Sequence, residues 1–96
     1  MSGKLGFSMT YDEDGDVLYI AKSREAAARG TEDEDRIVWR YDAAGELIGA
    51  TILGFHERWL NDRSWLALEL SSRFQIPLSR AGDAVDDAFD VRAPLG

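Results

Sequence analysis

The chain has no cysteine, one histidine and two prolines among its 96 residues. Without thiols there are no disulfides, thiolate metal sites or cysteine nucleophiles, so the fold has to stand on packing alone. With one imidazole, the usual zinc ligand sets cannot be assembled within one chain. His56-Glu57 opens like a zinc-protease helix, but that chemistry needs a second histidine four places on, where Leu60 stands. Basic residues are also scarce: 11 Lys and Arg against 18 Asp and Glu leave a net charge of −7. Such a balance repels phosphate backbones, so the expectation is no nucleic-acid partner. No apolar run approaches the roughly 20 residues of a membrane span, and MSGKLGF lacks the apolar stretch of a signal peptide. The expectation is a cytoplasmic protein with no membrane contact. Neither glycine pattern that cradles phosphate occurs, and no GxSxG elbow marks a nucleophilic serine.

What is present suits one small folded domain over residues 1–96, with 45% apolar and 30% charged residues. Its clearest feature is an internal echo: Tyr11-Asp12-Glu13-Asp14-Gly15-Asp16-Val17-Leu18 returns 30 positions later as Tyr41-Asp42-Ala43-Ala44-Gly45-Glu46-Leu47-Ile48. In each copy Asp12 or Asp42 suits the start of a turn, because its carboxylate accepts local N–H groups, and Gly15 or Gly45 suits positive φ near its end. Apolar and β-branched runs flank both copies, so each reads as a β-hairpin. In the first, Leu5, Phe7, Met9 and Tyr11 alternate with small or polar residues, while Val17 to Ala21 is apolar throughout and reads as a central strand. In the second, Ile37, Trp39 and Tyr41 share a face and lead to Leu47–Leu53. The simplest arrangement is a four-stranded antiparallel meander over residues 5–54, in chain order. Between the hairpins, the alanines of Ser23–Gly30 predict a helical turn, and Thr31–Asp35 predicts an acidic loop, either solvated or open to a basic partner.

From 55 to 90 the composition turns helical. Phe55, Trp59 and Leu60 fall at helical spacing, and Ser64 is placed to cap a helix from Trp65 to Phe74 with Leu66, Leu70 and Phe74 inward. Leu66, Leu68 and Leu70 also alternate like a strand, with Phe74, Ile76 and Leu78 as a returning partner; the poor turn chemistry of Ser71-Ser72-Arg73 favours the helix. Pro77 should end that element. Ser79 should cap a last helix with Ala81, Val85, Ala88 and Phe89 inward and Asp83, Asp86, Asp87 and Asp90 outward, and the tail from Arg92 should fray. The fold class is therefore α+β, the sheet carrying C-terminal helices.

Three chemical motifs fail on inspection. Asp12, Asp14 and Asp16 imitate a calcium loop, but its glycine and closing glutamate positions hold Val17 and Ser23. Carboxylates are too numerous to single out an acid–base pair. Residues 68–81 have helix-turn-helix spacing, yet the second helix would present Asp83, Asp86 and Asp87 to the phosphates. No metal or cofactor is called for. What remains is a surplus of aromatics, three Trp, three Tyr and four Phe. One helical layer covers one face of a sheet; the other must be covered by the last helix, by a second copy in a homodimer, or by a different protein. The candidate interface residues are Tyr19, Trp39, Tyr41, Trp59, Trp65 and Phe74. A second reading places a small-molecule or minor catalytic pocket between sheet and helix, with His56, Tyr19 and Arg40 as its polar groups.

The run Met9-Thr10-Tyr11-Asp12-Glu13-Asp14-Gly15-Asp16-Val17-Leu18-Tyr19-Ile20, followed by Arg36-Ile37-Val38-Trp39-Arg40-Tyr41-Asp42 and Gly45-Glu46-Leu47-Ile48-Gly49, resembles the bacterial domain of unknown function 2283 over residues 9–55. Ala50-Thr51 departs from the Ile-Glu usual there. The resemblance implies a compact meander sheet with helix, no established activity, and frequent occurrence beside genes for small toxin-like proteins. An antitoxin-like interaction module is the function it suggests, and an acidic chain would associate faster with a basic partner.

Overall fold

The computed structural model describes residues 8–22 and 26–92. Five antiparallel strands form one sheet: β1 (Ser8–Asp12), β2 (Val17–Ala21), β3 (Arg29–Glu32), β4 (Ile37–Tyr41) and β5 (Leu47–Leu53). Three helices follow, α1 (Phe55–Trp59), α2 (Arg63–Phe74) and α3 (Leu78–Arg92). The α+β class holds, but the sheet has one strand more than expected and its order is β1-β2-β5-β4-β3.

The last strand is thus the middle one. It pairs Leu18 with Ile52 and Ile20 with Ala50 on one side, and Ile37 with Ile52 and Trp39 with Ala50 on the other. A chain-order meander would have left the apolar strand β5 at an edge. Inserting it between β2 and β4 pairs both of its edges and buries five consecutive residues, Ile48 to Ile52.

The extra strand lies where a helical turn and an acidic loop were expected. Arg29–Glu32 pairs with β4 in register Arg29–Tyr41 to Glu32–Val38, and the Ala28 N–H donates to the Tyr41 carbonyl at 2.8 Å. A short helix is marginal in water, whereas β4 offers a row of unpaired backbone groups, so pairing overrides the alanines' preference. Ser23 to Glu25 of the expected turn, and Leu5 and Phe7 of the first strand, lie outside the described residues.

Alternation divides the sheet into two faces. Leu18, Ile20, Ile37, Trp39, Ala50 and Ile52 point to the helices and are buried, with Met9 and Tyr11 packed beside them. The helices answer with Phe55 and Trp59 from α1, Leu66, Leu70 and Phe74 from α2, and Ala81, Val85, Ala88 and Phe89 from α3. Ring contacts tie the layers, Tyr11 meeting Phe55 at 5.7 Å between centroids and Trp39 meeting Phe74 at 6.1 Å, while Phe55 stacks on Phe89 at 4.3 Å within the helical layer.

Residues 63–74 are helical, which decides between the two readings of that segment. Its starting cap differs from expectation: Asp62 is the N-cap and Ser64 sits inside the first turn. The helix closes at Gln75, which adopts the left-handed conformation at φ 58°, so Pro77 stands beyond the end rather than making it. The Pro77 carbonyl instead starts α3 by accepting the Arg80 and Ala81 N–H groups at 3.0 and 3.1 Å, and Ser79 lies within the helix. Asp83, Asp86, Asp87 and Asp90 are exposed. Arg92 is still helical, and the tail after it lies outside the described residues.

Candidate functional site

The two hairpins that echo in sequence do not echo in conformation. In the second, Gly45 takes positive φ at 87°, while the Asp42 carboxylate accepts the N–H groups of Ala44 and Glu46, each at 2.9 Å. In the first, Gly15 donates to the Asp12 carboxylate at a long 3.4 Å, and the left-handed residue is Asp16, at φ 55°. Asp tolerates that region better than most side chains. The shift by one residue turns the Asp16 carboxylate toward α1, where it accepts the backbone N–H of His56 at 2.7 Å and of Glu57 at 3.0 Å, and a hydrogen bond from the Tyr11 hydroxyl. The helix's own N-cap, Gly54, has no side chain to do this. Burial pushes the Asp16 carboxyl up, but the Tyr11 bond, the two backbone bonds and the nearby His56 ring outweigh it, and its pKa lies below the ordinary value.

Asp33 plays a like part in the β3–β4 turn, on the other side of β5. Its carboxylate accepts the Asp35 and Ile37 N–H groups at 2.8 and 3.1 Å and the Trp39 indole N–H at 2.9 Å. Burial again pushes its pKa up, and the Trp39, Ile37 and Asp35 bonds with the Arg73 charge bring it below the ordinary value. Sequence reasoning missed both roles. An Asp two and four residues before its backbone donors is the readable signal for Asp33; for Asp16 the partner is 40 positions away and leaves no local trace.

The six candidate interface residues separate into three groups. Trp39, Trp59 and Phe74 are at most 3% exposed and belong to the core of a single chain, so their side chains are already covered from within. Tyr41 is half-buried, with the Arg29 guanidinium 4.8 Å above its ring. Tyr19 and Trp65 are exposed, at 45% and 58%. They do not meet: Tyr19 stands on the sheet face away from the helices, and Trp65 on the outer side of α2.

The outer face of the sheet is laid out by the strand register. Thr10, Tyr19, Thr51, Val38 and Glu32 form its middle row, and Ser8, Ala21, Gly49, Arg40 and Gly30 the row beside it. Val17 and Leu53 extend the apolar centre. Among the described residues no helix packs on this face. Thr51 is nonetheless buried, at 6% exposure, and accepts the Arg40 Nε–H at 3.0 Å, so the arginine lies over β5. Among the described residues no carboxylate comes within ion-pair distance of Arg40. Gly49 is needed where it stands, because a Cβ there would lie 2.8 Å from the Ile20 carbonyl oxygen.

The residues suggested for a sheet–helix pocket do not converge. Tyr19 and Arg40 are on the outer face, whereas His56 packs its ring 5.6 Å from Phe89 on the helical side. Between sheet and helices, at Met9, Ile20, Leu70 and Phe74, the free space is about 10 Å³, at the threshold for one water. Among the described residues no cluster of three or more His, Asp or Glu is placed to hold a metal, and no helix is long and apolar enough to cross a membrane.

Residues 8–55 thus supply the five-stranded antiparallel sheet, with its apolar outer centre, and α2 and α3, which cover its inner face, lie beyond them. The family model described as Protein of unknown function (DUF2283) matches those same residues, half of the chain, and the chain belongs to that family. Neither a curated protein nor a solved structure matches it.

Proposed function

We propose that this protein is an acidic, cytoplasmic protein-interaction module with no catalytic step of its own. The observation that carries the reading is the outer face of the sheet, where half-exposed Tyr19 stands among Val17, Ala21, Val38 and Leu53 with no helix over them among the described residues. Aromatic and arginine side chains on an apolar patch are what interface centres are built from, and Tyr19 and Arg40 supply both. A net charge of −7 speeds association with a basic partner, and a small basic, toxin-like protein is the partner that the family resemblance suggests. A second copy of the chain, as a homodimer, is the competing occupant.

Affinity purification of the tagged chain from its own cells, with stoichiometry by mass spectrometry, is the test, run beside a Tyr19→Glu variant whose fold is checked by circular dichroism. A basic protein recovered in equal amount, and lost with Tyr19→Glu, supports the reading. A dimer of the chain alone, dissociated by the same substitution, assigns the face to self-association. A monomer with nothing bound in either form overturns the proposal.

A further inference from the structure

A second uncovered surface lies outside the segment matched by the family, between α2 and α3. The two helices leave a groove of about 200 Å³. Its floor is Ala67, Gly82 and Val85, and a Cβ built on Gly82 would meet no atom within 4 Å. Small residues there let another backbone come close.

The banks differ in kind. On the α2 side stands Ser64. Leu78, 50% exposed, closes one end. On the α3 side Asp86 lines the groove, and Asp83 and Asp90 continue the same exposed edge at helical spacing. The pair between Arg63 and Asp86, 3.4 Å apart with both side chains exposed, closes the other end and leaves Asp83 and Asp90 without a cationic partner among the described residues.

We propose that this groove receives a cationic amphipathic helix from a partner protein. Its apolar side would seat on Ala67, Leu78, Gly82 and Val85, with Lys or Arg on the flank facing Asp83, Asp86 and Asp90. Charge decides against a second copy: two such grooves brought together would set acidic banks against each other in a chain already at −7. The inference rests on reading the chain as an interaction module, but it uses a surface separate from the Tyr19 face, so the two fail separately.

The probe is a synthetic helical peptide of about 14 residues, long enough to lie along the groove, with Leu and Ala at every third and fourth position and Lys on one flank. A counterpart carries Glu for every Lys. Fluorescence anisotropy gives affinity, and amide shifts of the isotope-labelled full chain give location. The Lys peptide should bind at least tenfold more tightly than the Glu peptide, with shifts centred on residues 64–68 and 78–86. Gly82→Leu, which fills the groove without changing charge, and the double change Asp83→Asn with Asp90→Asn, which lowers charge without changing shape, should each weaken it severalfold. Tyr19→Glu should leave it unchanged.

No binding by the Lys peptide, equal binding by both peptides, unaltered affinity in Gly82→Leu, or shifts that map to the sheet would each overturn the proposal. So would a dimer of the chain that Gly82→Leu dissociates, because the groove would then hold a second copy. Loss of partner binding in Tyr19→Glu with no peptide binding here would leave the interaction reading standing and remove only the groove.

Discussion

The Asp16 carboxylate accepts the backbone N–H of His56 at 2.7 Å, so a turn residue of the first hairpin acts as the missing cap of α1. Replacing Asp16 with Ala leaves the His56 and Glu57 N–H groups and the Tyr11 hydroxyl without this acceptor. The expected loss is about 1–2 kcal/mol, the range for a helix cap bonded through a carboxylate. Urea unfolding followed by fluorescence would measure it as a lower midpoint at unchanged slope.

Asp16 and Asp33 also make the stability of the fold depend on pH in the acid range. Both have folded pKa values below the ordinary carboxylate value, so the stability they contribute is complete above the unfolded value of about 3.9 and is lost as pH falls through the folded values. The melting temperature should therefore depend little on these two groups from pH 7 to about 5, and their contribution should fall away below about 4. Asp16→Asn with Asp33→Asn should melt lower at pH 7 and show a shallower acid decline. A double variant with the same acid slope as the parent would contradict this account.

Two glycines should respond to alanine with opposite signs. At Gly49 the added Cβ lies 2.8 Å from a backbone oxygen of β2, the neighbouring strand, and forcing the central strands apart should cost about 1–3 kcal/mol. At Gly82 the Cβ enters open space within a helix, and removing glycine's backbone freedom should add about 0.5–1 kcal/mol. Thermal melts of the two variants side by side check the pair.

Trp39→Ala separates core from surface. Trp39 is 1% exposed, with its indole N–H on Asp33 and the Arg73 guanidinium 4.5 Å above its ring. Its truncation should cost about 3–5 kcal/mol, enough to unfold a domain of modest stability. Tyr19→Ala, at a residue 45% exposed, should cost under about 1 kcal/mol. A loss of assembly in the tryptophan variant therefore reports unfolding, and the tyrosine variant is the one to use in a binding assay.

How far the sequence could be read depended on whether a residue's partner was near in the chain. In α3 the inward Ala81, Val85, Ala88 and Phe89 and the outward aspartates follow from spacing alone, because a helix's faces are a local property. The first hairpin and the β4–β5 hairpin are likewise local, and the unbroken apolar run Val17–Ala21 marked a strand with neighbours on both sides. By contrast, Arg29-Gly30-Thr31-Glu32 has no apolar alternation, since all four residues are exposed and the strand is held by backbone bonds to β4. The position of β5 between β2 and β4, the reach of Asp16 to α1 and the burial of Trp39 are contacts between distant segments, and no pattern within either segment records them.

The placement of β5 also fixes when the domain can exist. It is the last strand to be synthesised and the one on which both halves of the sheet close. Until Leu47–Leu53 has been made, the β1–β2 ribbon and the β3–β4 ribbon share no edge, and each presents an apolar face with nothing against it. Isolated two-stranded ribbons are marginal in water, so neither can wait as a finished piece. A nascent chain halted before Leu47 would be a substrate for chaperones and proteases rather than half a protein, and the arrival of one strand joins the two ribbons into the sheet on which α1, α2 and α3 then close the core.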